Sequence, residues 1–308
     1  ESGDNVVALS CTGTAPEINV TPTTLAFGNV RVGTPTQLTF QVQHLSSGTG
    51  SETLDYTIMK SGAGQAAYTV APACTTNCTV GTSNMTIHTV TFTPSSRTSF
   101  NAVLDIASDD LSEPNTQVTL TGTGIAPEIG DPVPVSQSHT FANTDVGTTS
   151  AAVTISARNT GNDTLTISNV VLTGGQSNQF RIATGSTTNQ SVAAGNTATW
   201  TVVCEPTSTG AKTTTFRINS DALNDTTFDF TLNCTGEQAV FSFSPAGGLN
   251  FGQVPVGMSS TLPVTISNTG NQSGSINSIV SGNGVYTFSV VGGAPPRSVA
   301  AGASLTVN

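Results

Sequence analysis

Leu25-Ala26-Phe27-Gly28-Asn29-Val30-Arg31-Val32-Gly33 and Leu249-Asn250-Phe251-Gly252-Gln253-Val254-Pro255-Val256-Gly257 are one motif written twice. Leu-x-Phe and Val-x-Val set apolar side chains two residues apart, the period of a half-buried strand. The motif closes on a glycine, a residue suited to turns. A reduced copy lies between them and keeps Phe141, Val146 and Gly147, with His139 at the place of Leu25.

Other stretches recur at the same spacing of about 110 residues. Ala15-Pro16-Glu17-Ile18 returns as Ala126-Pro127-Glu128-Ile129. Asn159-Thr160-Gly161-Asn162 returns as Asn268-Thr269-Gly270-Asn271, and Ser191-Val192-Ala193-Ala194-Gly195 as Ser298-Val299-Ala300-Ala301-Gly302. After each opening motif comes an alternating strand: Leu38, Phe40 and Val42; then Val153 and Ile155; then Leu262, Val264 and Ile266. Alternation puts these side chains on one buried face. Val90 and Phe92 mark a later strand that stops before Pro94. Leu104-Asp105-Ile106 and Phe216-Arg217-Ile218 mark another, followed by closing strands around Val118-x-Leu120 and Phe230-x-Leu232.

About seven short strands per unit with turns between them is the pattern of an immunoglobulin-like β-sandwich. The expected fold is all-β, with tandem sandwiches in an elongated array joined by short links. Residues 15–125, 126–237 and 238–308 are the expected domains, the last incomplete at its C-terminal side. Val7-Ala8-Leu9-Ser10-Cys11-Thr12-Gly13 matches Phe230-Thr231-Leu232-Asn233-Cys234-Thr235-Gly236. Residues 1–14 therefore read as the last strand of a preceding domain.

Composition narrows the function. Charged residues make up 8% of the chain, and the net charge is −10 with only 8 Lys and Arg. Nucleic-acid binding needs a basic face to displace counterions, and anionic lipid needs the same, so both partners are disfavoured. No apolar run approaches the ~20 residues of a membrane span. No Gly-x-Ser-x-Gly, His-Glu-x-x-His or P-loop pattern occurs, and His44, His88 and His139 fall on unrelated segments. The chain reads as non-enzymatic, with no cofactor and no metal.

The series Leu-x-Phe-Gly-x-Val-x-Val-Gly, Asn-Thr-Gly, Phe-x-Pro, Ser-Asp-Asp and a closing Gly-x-Gly resembles the ASPM–SPD-2–Hydin type of immunoglobulin-like domain. It is similar to the choice-of-anchor D repeat of bacterial surface proteins. The first unit departs by carrying His44-Leu45-Ser46-Ser47-Gly48 where Asn-Thr-Gly is expected. The resemblance implies a seven-stranded sandwich used as spacer, scaffold or interaction module, and it implies no catalytic residues.

Cys204 falls on the strand equivalent to that bearing Phe92, and Cys234 on the closing strand where the first unit has Gly122. The first unit lacks both cysteines and the second has both, so they are expected to form an inter-sheet disulfide; the alternative is two buried thiols. Trp200, Val202 and Cys204 share strand parity and should face inward. Cys74 and Cys78 are expected to close a local disulfide, the alternatives being free thiols or a zinc site short of ligands. Cys11 matches Cys234, and its partner is expected upstream of residue 1, which leaves it unpaired within these residues. Disulfides imply an extracellular, cell-surface or periplasmic location.

Other candidates have bland counterparts. Asp109-Asp110-Leu111-Ser112-Glu113 could bind calcium or simply end a strand in a turn. Tyr56, Tyr68 and Tyr286 are the candidates for sugar stacking, against packing in the core or at an edge. The leading expectation is a stalk, adhesin shaft or filament subunit. The alternative is a glycan- or protein-binding module of a larger secreted enzyme. Expected partners are other domains of the same chain, or further copies added strand to strand as a homo-oligomer or filament.

Overall fold

A computed structural model describes residues 7–9, 15–45, 52–282 and 284–308. It divides into two compact units, Glu1–Pro127 with Gly161–Asp163, and Glu128–Thr160 with Thr164–Asn308. The structure is all-β apart from two short 3-10 turns among the described residues, and it forms successive immunoglobulin-like sandwiches. Cys11 and the Ser46-Ser47-Gly48 turn lie outside the described residues. Residues 7–9 belong to no strand, and Val7 and Leu9 are exposed.

The first sandwich contains β1 (Ile18–Thr21), β2 (Thr24–Arg31), β3 (Thr36–His44), β4 (Thr53–Ser61), β5 (Tyr68–Ala71), β6 (Cys78–Gly81), β7 (Met85–Phe92), β8 (Ser99–Ser108) and β9 (Asn115–Ile125). One sheet runs β1-β3-β7-β5 and the other β2-β9-β8-β4-β6. All pairs are antiparallel except β2 with β9, which is parallel with Leu25 opposite Leu120 and Val30 opposite Gly124. The edge strands β2 and β5 extend a framework of seven to nine. Thr and Gln alternate with Leu, Phe and Val along β3, so one face is solvated while Phe40 and Val42 are buried. Across the gap Leu104, Ile106, Val118 and Leu120 meet them. Each such side chain contributes about 1.5–3 kcal/mol by leaving water.

The second sandwich repeats this plan with β10 (Ile129–Val133), β11 (Ser138–Thr140), β12 (Thr144–Asp145), β13 (Val153–Asn159), β14 (Leu165–Thr173), β15 (Phe180–Thr184), β16 (Thr188–Val192), β17 (Thr197–Cys204), β18 (Gly210–Ser220) and β19 (Thr227–Glu237). The sheets run β10-β13-β17-β15 and β11-β19-β18-β14-β16, with β12 also on β19. Both β11 and β12 lie parallel to β19, with His139 opposite Leu232 and Thr144 opposite Gly236. They are the opening motif broken in two, where Phe141 and Ala142 replace Phe27 and Gly28.

The motif's last glycine has the same task in both sandwiches. Gly33 and Gly147 sit at φ of 78° and 83°, a region that side chains disfavour. Their N–H groups donate to the carbonyls of Pro94 and Pro206, each at 2.9 Å. The Val-Gly and Phe-x-Pro motifs of the first unit thus meet in one hydrogen bond between the start of one strand connection and the end of another.

The third region is different. It contains β20 (Phe241–Ser244), β21 (Val264–Asn268), β22 (Gly274–Ile276), β23 (Arg297–Val299) and β24 (Ser304–Val307), in sheets β20-β21-β24 and β22-β23. Residues 249–257 carry the opening motif in its fullest form, yet form no strand. In the first two sandwiches that segment takes its hydrogen bonds from β9 or β19. No strand stands in that place here among the described residues. The alternating sequence is insufficient without a ladder partner to satisfy its backbone groups.

Candidate functional site: the sandwich interiors and an open apolar groove

Cys204 and Cys234 form a disulfide between β17 and β19, one in each sheet, with Cα atoms 6.4 Å apart. Trp200, Val202 and Cys204 are fully buried on β17. The Trp200 ring meets Phe216 edge-on at 5.6 Å, and its Nε1 donates to the Ser186 carbonyl at 2.7 Å. The first sandwich fills the corresponding space differently. There Gly122 stands where Cys234 would be, because a Cβ would run into the Phe92 ring. Phe92 packs against Tyr68 at 4.9 Å and Phe27 at 5.4 Å. An aromatic cluster in one sandwich and a covalent bond in the other join the two sheets at one level.

Cys74 and Cys78 form a second disulfide, with Cα atoms 5.8 Å apart, in the connection from β5 to β6. Among the described residues no group of three or more His, Cys, Asp or Glu side chains gathers to hold a metal ion.

Asp110 is a tie, not part of a cation cradle. It is buried, and its Oδ2 accepts the Ile18 N–H at 2.9 Å. Its Oδ1 accepts from the Ser112 N–H and hydroxyl, both at 2.7 Å, and from the Glu113 N–H at 3.1 Å. Burial alone would raise the pKa; the donors of Ile18, Ser112 and Glu113 outweigh it and bring it to about 2. Sequence alignment sets Ala222 opposite Asp110, but the functional counterpart is Asn224. Its Oδ1 accepts from Ile129 N–H at 2.9 Å, and its Nδ2 donates to the Ile129 carbonyl at 2.8 Å. Both residues anchor the first strand of a sandwich to the hairpin on the opposite sheet. Asp109 also serves a turn, with Oδ1 accepting from the Asp55 N–H at 3.0 Å.

Tyr56 and Tyr68 are core residues. Tyr68 is fully buried and its hydroxyl donates to the Phe100 carbonyl at 2.8 Å; burial pushes its pKa up to about 12. The Tyr56 hydroxyl lies 2.8 Å from His88 Nε2, and His88 Nδ1 lies 2.9 Å from the Pro72 carbonyl. A carbonyl only accepts, so Nδ1 carries the proton and Nε2 accepts from Tyr56 in the neutral imidazole. Burial lowers the His88 pKa, against a smaller upward effect of the Pro72 bond. His139 is half-buried on β11, edge-on to Phe141 at 4.7 Å.

His44 occupies the position that Asn159 and Asn268 hold in the other repeats. Asn159 donates to the Val192 carbonyl at 2.8 Å, and Asn268 to the Val299 carbonyl at 2.9 Å. Asn268 also accepts the Val240 N–H at 3.1 Å. His44 is as buried as Asn159, yet neither ring nitrogen has a hydrogen-bond partner among the described residues.

The one Tyr on the surface is Tyr286, and it lines an apolar groove in the third region. The groove encloses about 390 Å³ between the two small sheets, with Phe243, Leu249, Phe251, Tyr286, Phe288 and Val307 among its walls. Three of its aromatic side chains, Phe243, Tyr286 and Phe288, are exposed, and the Phe251 and Tyr286 rings lie 5.8 Å apart. In the second sandwich the same space holds Phe216, Phe230 and Leu232 from β18 and β19. A third unit read as incomplete is expected to expose core residues, and the structure shows which side chains line the resulting groove.

No family model matches the chain, and no curated protein does. Among solved structures, partial likenesses are found at low identity. The ASH/PapD-like domain of human CEP192 (PapD-like domain 7) is 13% identical, over 41% of this chain and 96% of that one, with a TM-score of 0.29. WR4, a C. elegans MSP family member, is 17% identical over 35% of this chain and 96% of its own, at 0.24. The periplasmic chaperone SfaE is 10% identical over 71% of this chain and 100% of its own, at 0.28.

Proposed function

We propose that the chain is a non-catalytic structural or adhesive part of a cell-surface or extracellular protein: a stalk, an adhesin shaft or a filament subunit. The supporting observation is that the buried polar side chains singled out above bond within the sandwiches. Asp110 and Asn224 tie strands, Tyr56 and His88 bond each other, and Tyr68 caps a buried carbonyl. The repeated architecture fits a role in which length and rigidity matter. The ASPM–SPD-2–Hydin and choice-of-anchor D resemblance is the finer form of this reading. Two disulfides suit an oxidising, non-cytoplasmic space. Immunolabelling of intact source cells tests the reading. Labelling without permeabilisation, with loss of adherence on deleting the repeats, is expected. Label that appears only after permeabilisation in a reducing compartment would overturn it.

The second reading, a binding module of a larger secreted enzyme, is favoured by the exposed aromatics Phe243, Tyr286 and Phe288. A glycan array decides that case. Saturable binding abolished by Tyr286→Ala supports it, and an array without hits removes its glycan form.

A further inference from the structure

We propose that Asn271, with Gly270 before it and Gln272 after it, latches the third region onto the link that leaves the second sandwich, so that this joint is locked and not a free hinge. Sandwiches joined by a short link and a small interface move against each other by default. The hydrogen bonds around the link oppose that default.

β19 ends at Glu237 and β20 begins at Phe241, so residues 238–240 are the link. Its backbone is paired with the turn after β21. The Gln238 N–H donates to Asn271 Oδ1 at 2.9 Å, and the Asn271 N–H donates back to the Gln238 carbonyl at 3.1 Å. Asn271 Nδ2 donates to the Gly236 carbonyl, on β19 itself, at 2.7 Å. The Thr269 N–H donates to the Val240 carbonyl at 2.7 Å, and the Val240 N–H to Asn268 Oδ1 at 3.1 Å. A Cβ at Gly270 would run into the Gln238 carbonyl, so only glycine lets the turn lie this close to the link. All these residues lie in the second compact unit.

The same bonds form a second time at the same register. The Ala126 N–H donates to Asn162 Oδ1 at 2.9 Å, and the Asn162 N–H to the Ala126 carbonyl at 3.1 Å. Asn162 Nδ2 donates to the Gly124 carbonyl at 3.4 Å, and the Thr160 N–H to the Glu128 carbonyl at 2.9 Å. Gly161–Asp163 accordingly pack with the first compact unit, whose closing strand and link they hold. Link side chains differ between the copies, Ala126 against Gln238 and Glu128 against Val240, while Asn-Thr-Gly-Asn is kept. Bonds made to link backbone explain both facts.

The residue after the asparagine adds a contact that changes with its partner. Asp163 Oδ2 lies 3.3 Å from Arg31 Nε, and Gln272 Nε2 donates to Asp145 Oδ1 at 2.8 Å. Arg31 and Asp145 hold equivalent places, opposite Ile125 on β9 and Glu237 on β19. A carboxylate thus faces the cation, and an amide donor faces the carboxylate. The latch goes beyond the functional reading above and serves a stalk and a binding module alike.

Residual dipolar couplings and amide exchange of the labelled 308-residue chain test it. Couplings from β13–β19 and from β20–β24 should fit one alignment tensor in wild type and need two in Asn271→Ala. Exchange at the Gln238 amide should accelerate about fivefold to tenfold in that variant, with exchange in β17–β19 and β21 unchanged. Gln272→Asp, which sets a carboxylate against Asp145, should accelerate it about twofold. A wild type that needs two tensors would overturn the proposal, as would Asn271→Ala chains with wild-type couplings and exchange. Loss of protection in β21 together with Gln238 would also overturn it, because Asn271 would then be holding the third region's own fold.

Discussion

The first sandwich and the third region hold the same nine-residue motif and do opposite things with it. Leu25, Phe27 and Val30 are buried, with Leu25 3% exposed. Their counterparts Leu249 and Phe251 are half-buried, and Val254 and Val256 are exposed, the latter completely. The two copies share Leu, Phe and both Val, but Pro255 stands where Arg31 pairs with Ile125 and removes one ladder N–H, a local difference that adds to the tertiary one. The tertiary difference is β9. An edge strand is stable when a neighbour accepts its N–H groups and covers its inner side chains, and in the third region nothing described performs either task.

That comparison breaks most sharply at the motif phenylalanine. Phe27→Ala empties a site bounded by Tyr68 and Phe92, and should cost about 3–5 kcal/mol. Phe251→Ala should cost below about 1 kcal/mol, since its ring already meets water. Domain-resolved hydrogen exchange under increasing urea measures both. Equal costs would mean that the third region is covered in solution.

The disulfide separates the first two sandwiches next. Cys204→Ala with Cys234→Ala should destabilise the second sandwich by about 3–4 kcal/mol, from a loop of 30 residues. Trp200 is the chain's only tryptophan and touches this core, so its emission reports the second sandwich alone. A shift of its urea midpoint with exchange in β1–β9 unchanged is expected.

The two strand ties differ in charge. Asp110→Ala and Asn224→Ala should each cost about 1–3 kcal/mol by stranding a buried N–H. Only Asp110 titrates. Its folded pKa of about 2 lies below the ordinary 3.8, so its stabilisation is whole above pH 4 and is lost as pH falls towards 2. The lowered pKa of His88 acts in the same direction at milder acidity. Its neutral form stabilises fully above pH 6.5, and that contribution is lost as pH falls through the folded pKa. Acid should therefore open the first sandwich before the second, read as early tyrosine exposure with Trp200 emission unchanged. Asp110→Asn should blunt the step near pH 3.

The smallest expected effect is a gain. His44→Asn replaces a buried ring whose nitrogens lack partners with the amide used at positions 159 and 268. It should raise the first sandwich's stability by about 1 kcal/mol, visible as a higher Tm in calorimetry.

Much of this was legible before any coordinates. Alternation in Leu38-x-Phe40-x-Val42 and Val153-x-Ile155 reads out inner faces, because strand side chains alternate whatever lies beyond them. The shared parity of Trp200, Val202 and Cys204 is the same kind of local fact. The roles of Asp110 and Asn224 were not legible. Alignment put Asp110 against Ala222, whereas the Ile18 and Ile129 N–H groups select whichever nearby side chain reaches them. The partnerless nitrogens of His44 were hidden for the same reason: satisfaction depends on residues distant in sequence.

The sequence by itself determined the repeat, the face of each side chain and the turn glycines, since these follow from the geometry of a few consecutive residues. Tertiary structure decided which polar side chains become ties and which apolar side chains line the open groove. Those outcomes depend on hydrogen-bond partners and covering side chains contributed by other strands, and no local pattern encodes their presence.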